Sequence, residues 1–203
     1  MGYEATKETL QYIKQNKIIN LLIQKDKLTN LNWSIKQVKV KGLFLEFGVY
    51  SGSSINFIAK RTENKVYGFD GFEGLPEDFW TYEKEHFKNK IPKVEKNVEL
   101  VIGWFEDTVC KFMENHDEKI AFVHIDCDVY SSAKTVLDNI YHKIQKGTVI
   151  VFDEFWNFPS WQEQEFKAFQ EFVKKHNMEY RYLSTTRDIQ VTIIITKLNK
   201  SDA

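Results

Sequence analysis

Short apolar runs alternate with amphipathic stretches along most of this chain. Leu43–Phe47, Val66–Phe69, Val98–Ile102, Ile120–Ile125 and Thr148–Phe152 are largely apolar, short, and rich in β-branched and aromatic residues. That is the pattern of strands buried on both faces. Between them, Ser53–Lys60 and Phe105–Asn115 read as helices. Ser131–Ile144 is a further helix, with Val136, Leu137, Ile140 and Ile144 on one face and Gly147 to stop it. Pro159–His176 predicts another helix, and Glu179–Ser184 and Ile189–Thr196 two last strands forming a hairpin around Thr186-Arg187-Asp188. Residues 71–97 hold Pro76, Pro92 and a charged middle, and read as a loop-rich insertion with room for one helix.

Ahead of the first strand, Tyr3 to about Asp26 places Leu10, Ile13, Ile18, Leu21 and Leu22 at the spacing of an amphipathic helix. Asn30–Gly42 has room for a short second helix. This leader, residues 1–42, can pack on the sheet, cap a site or pair two subunits in a homodimer. Plain packing is the simplest reading.

Strands alternating with helices require a mostly parallel sheet, because each crossover lays a helix on one of its faces. The expectation is one α/β domain over residues 1–203: seven strands, helices on both faces, and an antiparallel strand at the C-terminal end. Ligands in such sheets bind beyond the carboxyl ends of the strands. The polar motifs fall there: Glu46 to Gly52, Asp70, Gly103, Asp126 to Asp128, and Asp153-Glu154.

Composition narrows the classes. With 42% hydrophobic and 28% charged residues the chain is globular, and 203 residues suit one core. A net charge of -1 points to neither a nucleic-acid backbone nor an anionic membrane. No run approaches the roughly 18 apolar residues of a membrane span, and the N-terminus has no signal-peptide pattern. Cys110 and Cys127 give no disulfide framework, which fits a reduced cytoplasmic setting.

The candidate chemistry divides in two. Gly48 and Gly52 let the chain turn tightly and approach a ligand closely. Gly-Val-Tyr-Ser-Gly is not the G-x-G-x-x-G of a pyrophosphate site, and suits a ligand held by a carboxylate and a sugar. Asp70 follows the second strand, where an acid can accept from ribose hydroxyls; alone, it is equally a turn residue. Gly103-Trp104-Phe105 can wall an adenine ring or simply pack.

The second half is acidic. Asp126, Asp128, Asp153 and Glu154 end two neighbouring strands, and their repulsion calls for a cation or a raised pKa. Such oxygen ligands suit Mg²⁺, Mn²⁺ or Ca²⁺. Asp128 also reads as a cap for the following helix. His124 reads as a core histidine, His142 as a surface one, and Cys127 as a buried thiol. Asp126-Cys127-Asp128 also matches the D-x-D of a metal-dependent glycosyltransferase, and a non-catalytic binding module is a third reading.

Four ordered motifs carry a family resemblance: Leu45-Glu-Phe-Gly-Val-Tyr-Ser-Gly-Ser-Ser, Tyr67-Gly-Phe-Asp-Gly-Phe-Glu-Gly-Leu-Pro, His124-Ile-Asp-Cys-Asp-Val-Tyr-Ser-Ser and Val149-Ile-Val-Phe-Asp-Glu-Phe. From about Gly42 to Phe172 the chain resembles the macrocin O-methyltransferase family, and more distantly catechol O-methyltransferase. The resemblance implies a Rossmann-like class I fold, S-adenosyl-L-methionine as cofactor, Mg²⁺ or another divalent cation, and a small-molecule hydroxyl as acceptor, on a sugar or other natural product. It implies a cofactor site of Glu46, Gly48, Tyr50, Ser51, Gly52, Asp70, Gly103, Trp104, Phe105 and Asp126. It implies Asp126, Asp153 and Glu154 as metal ligands, with Asp126 also the general base. The lysine that catechol enzymes place three residues after the first metal aspartate is Val129 here. Trp80, Trp156, Phe158 and Trp161 are the candidate acceptor walls.

Overall fold

A computed structural model of the chain describes residues 3–198. The elements are α1 (Tyr3–Gln15), β1 (Leu22–Gln24), α2 (Lys27–Gln37), β2 (Leu43–Phe47), α3 (Ser53–Ala59), β3 (Val66–Asp70), β4 (Val98–Ile102), α4 (Phe105–Glu114), β5 (Ile120–Ile125), α5 (Tyr130–Ile140), β6 (Val149–Phe152), α6 (Glu165–Lys175), β7 (Met178–Thr186) and β8 (Val191–Leu198). They build one sheet in the order β1-β7-β8-β6-β5-β2-β3-β4. All seven expected strands form, and β8 runs antiparallel to both of its neighbours. The insertion holds a single 3-10 turn, Lys84–Phe87.

The leader departs from the expectation. Its first helix stops at Gln15, and Leu22–Gln24 adds an eighth, parallel strand beside β7. Lys17 and Asn20 adopt positive φ in the bend between them. Leu22, expected on a helix face, lies with Ile23 on the exposed edge of the sheet. The second helix begins at Lys27, capped by Asp26, whose carboxylate accepts from the Thr29 N–H at 2.7 Å.

Why the sheet forms here is plain from β2, β5 and β6, which are buried at every position. Each buried apolar side chain contributes about 1.5–3 kcal/mol on leaving water. Strands buried on both faces therefore demand helices on both sides. Two residues break this apolar pattern, Glu46 on β2 and His124 on β5, and they stand opposite each other in register.

After β2 the chain winds outward through β3 and β4; after β5 it winds the other way through β6. The connections thus diverge between β2 and β5, and a crevice opens above the carboxyl ends of that pair.

Candidate active site

A cavity of about 430 Å³ occupies this crevice. One side is built by Gly48 and Tyr50 after β2, Asp70 at the end of β3 with Gly71 after it, and Gly103, Trp104 and Phe105 after β4. The other side is built by Asp126, Cys127 and Asp128 after β5 and Asp153 and Glu154 after β6. Phe79, Trp80, Tyr82 and Phe87 of the insertion and Phe158 close the top.

The turn after β2 requires its glycine. Gly48 has φ +92°, and a β-carbon there would lie 1.8 Å from the Asp126 carbonyl oxygen. Asp70 pins the same turn: one carboxylate oxygen accepts from Val49 N and Tyr50 N, both at 2.7 Å, and the other from Phe72 N at 2.6 Å. Asp70 is thus structural at its inner lone pairs while still lining the cavity.

Not every expected residue reaches the cavity. Glu46 is fully buried beneath it, accepting from Ser54 Oγ at 3.0 Å and meeting His124 Nδ1 at 2.9 Å. It is not among the residues that line the cavity. Ser51 is exposed and bonds Ser53, and Gly52 abuts Pro92. Trp156 and Trp161 are core residues, the former donating to Thr185 Oγ1 at 3.1 Å. Their large apolar area is satisfied by the sheet, and only Trp80 and Phe158 of the expected walls line the cavity. Asp128 does not cap α5; the N-cap is Val129, with no side-chain bond. Asp128 sits instead at φ +63° with its carboxylate lining the cavity.

The acidic side is wired through the sheet. His124 Nε2 lies 3.5 Å from Asp153 Oδ1, so Glu46, His124 and Asp153 form a line across β2, β5 and the end of β6. Gln190 Nε2 donates to Asp153 Oδ1 at 2.5 Å, and Asn30 Nδ2 donates to Gln190 Oε1 at 2.8 Å. Lys27 pairs with Asp153 Oδ2 and lies 3.3 Å from Glu154 Oε1. From beneath, Glu165 accepts from Cys127 N at 3.0 Å and Glu154 N at 3.2 Å, tying both strand-end loops to α6.

These contacts sort the acids. Burial alone would raise Asp153, but His124 and Lys27 outweigh it and hold its carboxyl below the usual range. Burial alone would lower His124 and Lys27, and the flanking carboxylates outweigh it, raising both. Burial, reinforced by the Asp153 charge, pushes Asp126 and Glu154 well up and raises Asp128 to about 7.

A stability prediction follows for metal-free protein. Below about pH 4 Asp128 is protonated folded and unfolded; from there to about 7 only the folded state keeps the proton. Folding stability is therefore lost as pH rises through that window. Asp128→Asn escapes this loss. Its stability relative to wild type should grow between pH 4 and 7, by up to about 4 kcal/mol. Urea unfolding in EDTA reads this; a pH-independent difference would refute it.

Three residues around the site escaped the sequence reading: Lys27, Glu165 and Gln190. Asp128 was read both as one of the four acids and as a helix cap, and it lines the cavity. Lys27 and Gln190 lie far in sequence from the acids they meet.

The comparisons with known proteins agree with this geometry. A protein-family model described as "Methyltransferase domain" matches residues 45–155. The chain belongs to this methyltransferase family. The match spans every strand end that builds the cavity, and leaves the glycosyltransferase reading of Asp126-Cys127-Asp128 without support. A curated relative, the 8-demethyl-8-(2,3-dimethoxy-alpha-L-rhamnosyl)-tetracenomycin-C 4'-O-methyltransferase of Streptomyces olivaceus, is 23% identical over 168 residues. That alignment covers 68% of this chain and 63% of the relative, so the methyltransferase described here spans less than two thirds of that protein's length.

Among solved structures, the calicheamicin methyltransferase CalS11 superposes with a TM-score of 0.68 at 25% identity, covering 82% of this chain and 77% of its own. The O-methyltransferase NovP gives 0.64 at 22% identity, covering 84% and 79%. Among the described residues no helix is long and apolar enough to cross a membrane.

Proposed function

We propose that this methyltransferase transfers a methyl group from S-adenosyl-L-methionine to a hydroxyl of a small molecule, assisted by a divalent cation. The observation that carries the reading is one cavity joining two unlike halves: the glycine turn with Asp70 and Trp104, and the acidic group around Asp126. The relative named for methylating a rhamnosyl tetracenomycin favours a sugar or sugar-bearing natural product as acceptor.

In this reading the backbone at Gly48 and Tyr50 receives the methionine part of the cofactor, and Asp70 uses its one remaining acceptor site, on Oδ1, for the ribose. Trp104 and Phe105 flank the adenine. When bound, S-adenosylmethionine would supply an electrophilic methyl group and leave as S-adenosylhomocysteine when its methyl–sulfur bond breaks, so the protein must only align the acceptor and remove its proton. Asp126, at the boundary of the two halves, takes that proton as the acceptor oxygen bonds to carbon. Trp80, Phe158 and Phe87 shield the site from water and offer ring faces to a sugar.

The donor set fits a hard cation. Asp126, Asp128 and Glu154 each bring a carboxylate oxygen within 4.8 Å of the others, and buried Glu154 Oε2 has no hydrogen-bond partner. A divalent ion there would offset the charge that burial resists and lower the pKa of an acceptor hydroxyl. Of the ligands the resemblance implied, Asp126 and Glu154 belong to this group, while Asp153 belongs with Asp126 and His124 to a second group of the same spacing.

The cofactor half has its own test. Calorimetric titration of S-adenosylhomocysteine should give micromolar binding, weakened at least about tenfold in Asp70→Ala, since a hydrogen bond to a charged group contributes about 1.5–3 kcal/mol. No binding to wild type, with Mg²⁺ or with EDTA, would overturn the reading.

A further inference from the structure

Asp153, which the resemblance made a metal ligand, meets a protein donor at each oxygen. Lys27 holds one and Gln190 donates to the other, with His124 Nε2 standing 3.5 Å from that second oxygen. Lys27 is fixed in this position by its helix. It is the first residue of α2, behind the Asp26 cap. That helix is seated on β7 and β8 by buried Asn30, which bonds Ser184, Gln190 and Thr192, and by Ser34, which bonds Thr192.

The carboxylates of Asp126 and Asp128, by contrast, meet no hydrogen-bond donor among the described residues. Asp128 is turned toward the cavity by a left-handed backbone, at φ +63°. Non-glycine residues in that region are uncommon, and aspartate tolerates it better than most. Glu154 keeps one buried oxygen unpartnered while Lys27 faces the other.

We infer that Lys27 takes the cation's place at Asp153, and that the divalent ion of this chain is held by Asp126, Asp128 and Glu154. The inference rests on the cation reading above and changes its ligand set. Lys27 supplies one fixed positive charge to the acidic cluster, enough to neutralise Asp153 and too little for the other three acids. The ion then binds beside an ammonium group, which repels it. Removing Lys27 both lifts that repulsion and frees Asp153.

Mn²⁺ binding tests this without any turnover. Purified wild type, Asp128→Asn, Lys27→Met and Lys27→Arg are titrated with Mn²⁺, with free ion read by electron paramagnetic resonance. Asp128→Asn should bind at least about tenfold more weakly, from loss of one anionic ligand. Asparagine tolerates the left-handed backbone, so this variant keeps the fold. Lys27→Met should bind about tenfold more tightly, while Lys27→Arg, which keeps the charge, stays near wild type.

Unchanged affinity in Asp128→Asn, or weakened affinity in Lys27→Met, would overturn the inference while leaving a cation site in place. No Mn²⁺ binding in any of the four would remove the cation reading and the inference together. The Asp128→Asn arm decides the matter even where Lys27→Met fails to fold.

Discussion

Asp126→Asn is expected to lower methyl transfer by about 10²–10⁴, the usual worth of a positioned general base. The substitution is nearly isosteric, so the loss reports chemistry and not collapse of the wall. Asp126 stands where the two halves of the cavity meet, directly after β5. Its main-chain N–H donates to the Phe47 carbonyl at 2.8 Å, which fixes its height above the sheet. Burial and the neighbouring Asp153 charge raise its pKa, so it holds a proton more readily than an exposed aspartate. A base needs that property, provided something nearby lets it ionise before reaction. Asparagine can neither accept the proton nor bring charge to a cation.

The folded state should not suffer. Asparagine removes a carboxylate that burial disfavours, so the melting temperature should hold or rise. Turnover measured on an acceptor sugar with Mg²⁺ present would settle this. A variant keeping more than a tenth of wild-type activity would show that the proton leaves by another route.

Gly48→Ala should cost about 3 kcal/mol or more of folding stability, a loss of the size reserved for named backbone defects. Two independent conflicts produce it. The added carbon would meet the Asp126 carbonyl oxygen at 1.8 Å, and backbone has nowhere to retreat, because Asp126 N is bonded to Phe47. The φ of +92° is in addition a conformation alanine resists. Relief requires β2 and β5 to part at their carboxyl ends, where the crevice begins. Cofactor binding should therefore fall with stability. Urea denaturation of Gly48→Ala beside calorimetry of the same variant reads both losses. A Gly48→Ala protein within 1 kcal/mol of wild type would mean that the turn is looser than this geometry requires.

The sequence by itself determined most of the sheet and the identity of the family. Runs such as Ile120–Ile125 can be buried only as strands covered on both faces, because a periodic pattern read locally also specifies which faces need cover. The ends of such strands are forced to one side by parallel pairing. For that reason Gly48, Asp70, Gly103, Asp126 and Asp153 could be placed around one crevice before any coordinates. The leader was harder: Leu22 and Ile23 fit a helix face and a strand edge equally well over so short a stretch.

The tertiary structure alone decided how the acids share their charge. Lys27 at the start of α2 and Gln190 in the β7–β8 loop approach Asp153 from far along the chain, and no local pattern announces them. It also withdrew Glu46 from the cavity, since alternation along β2 and its register with His124 turn that side chain under the sheet end. A carboxylate's role depends on which positive charge and how much water surround it. Sequence motifs give the carboxylate; only packing gives its surroundings.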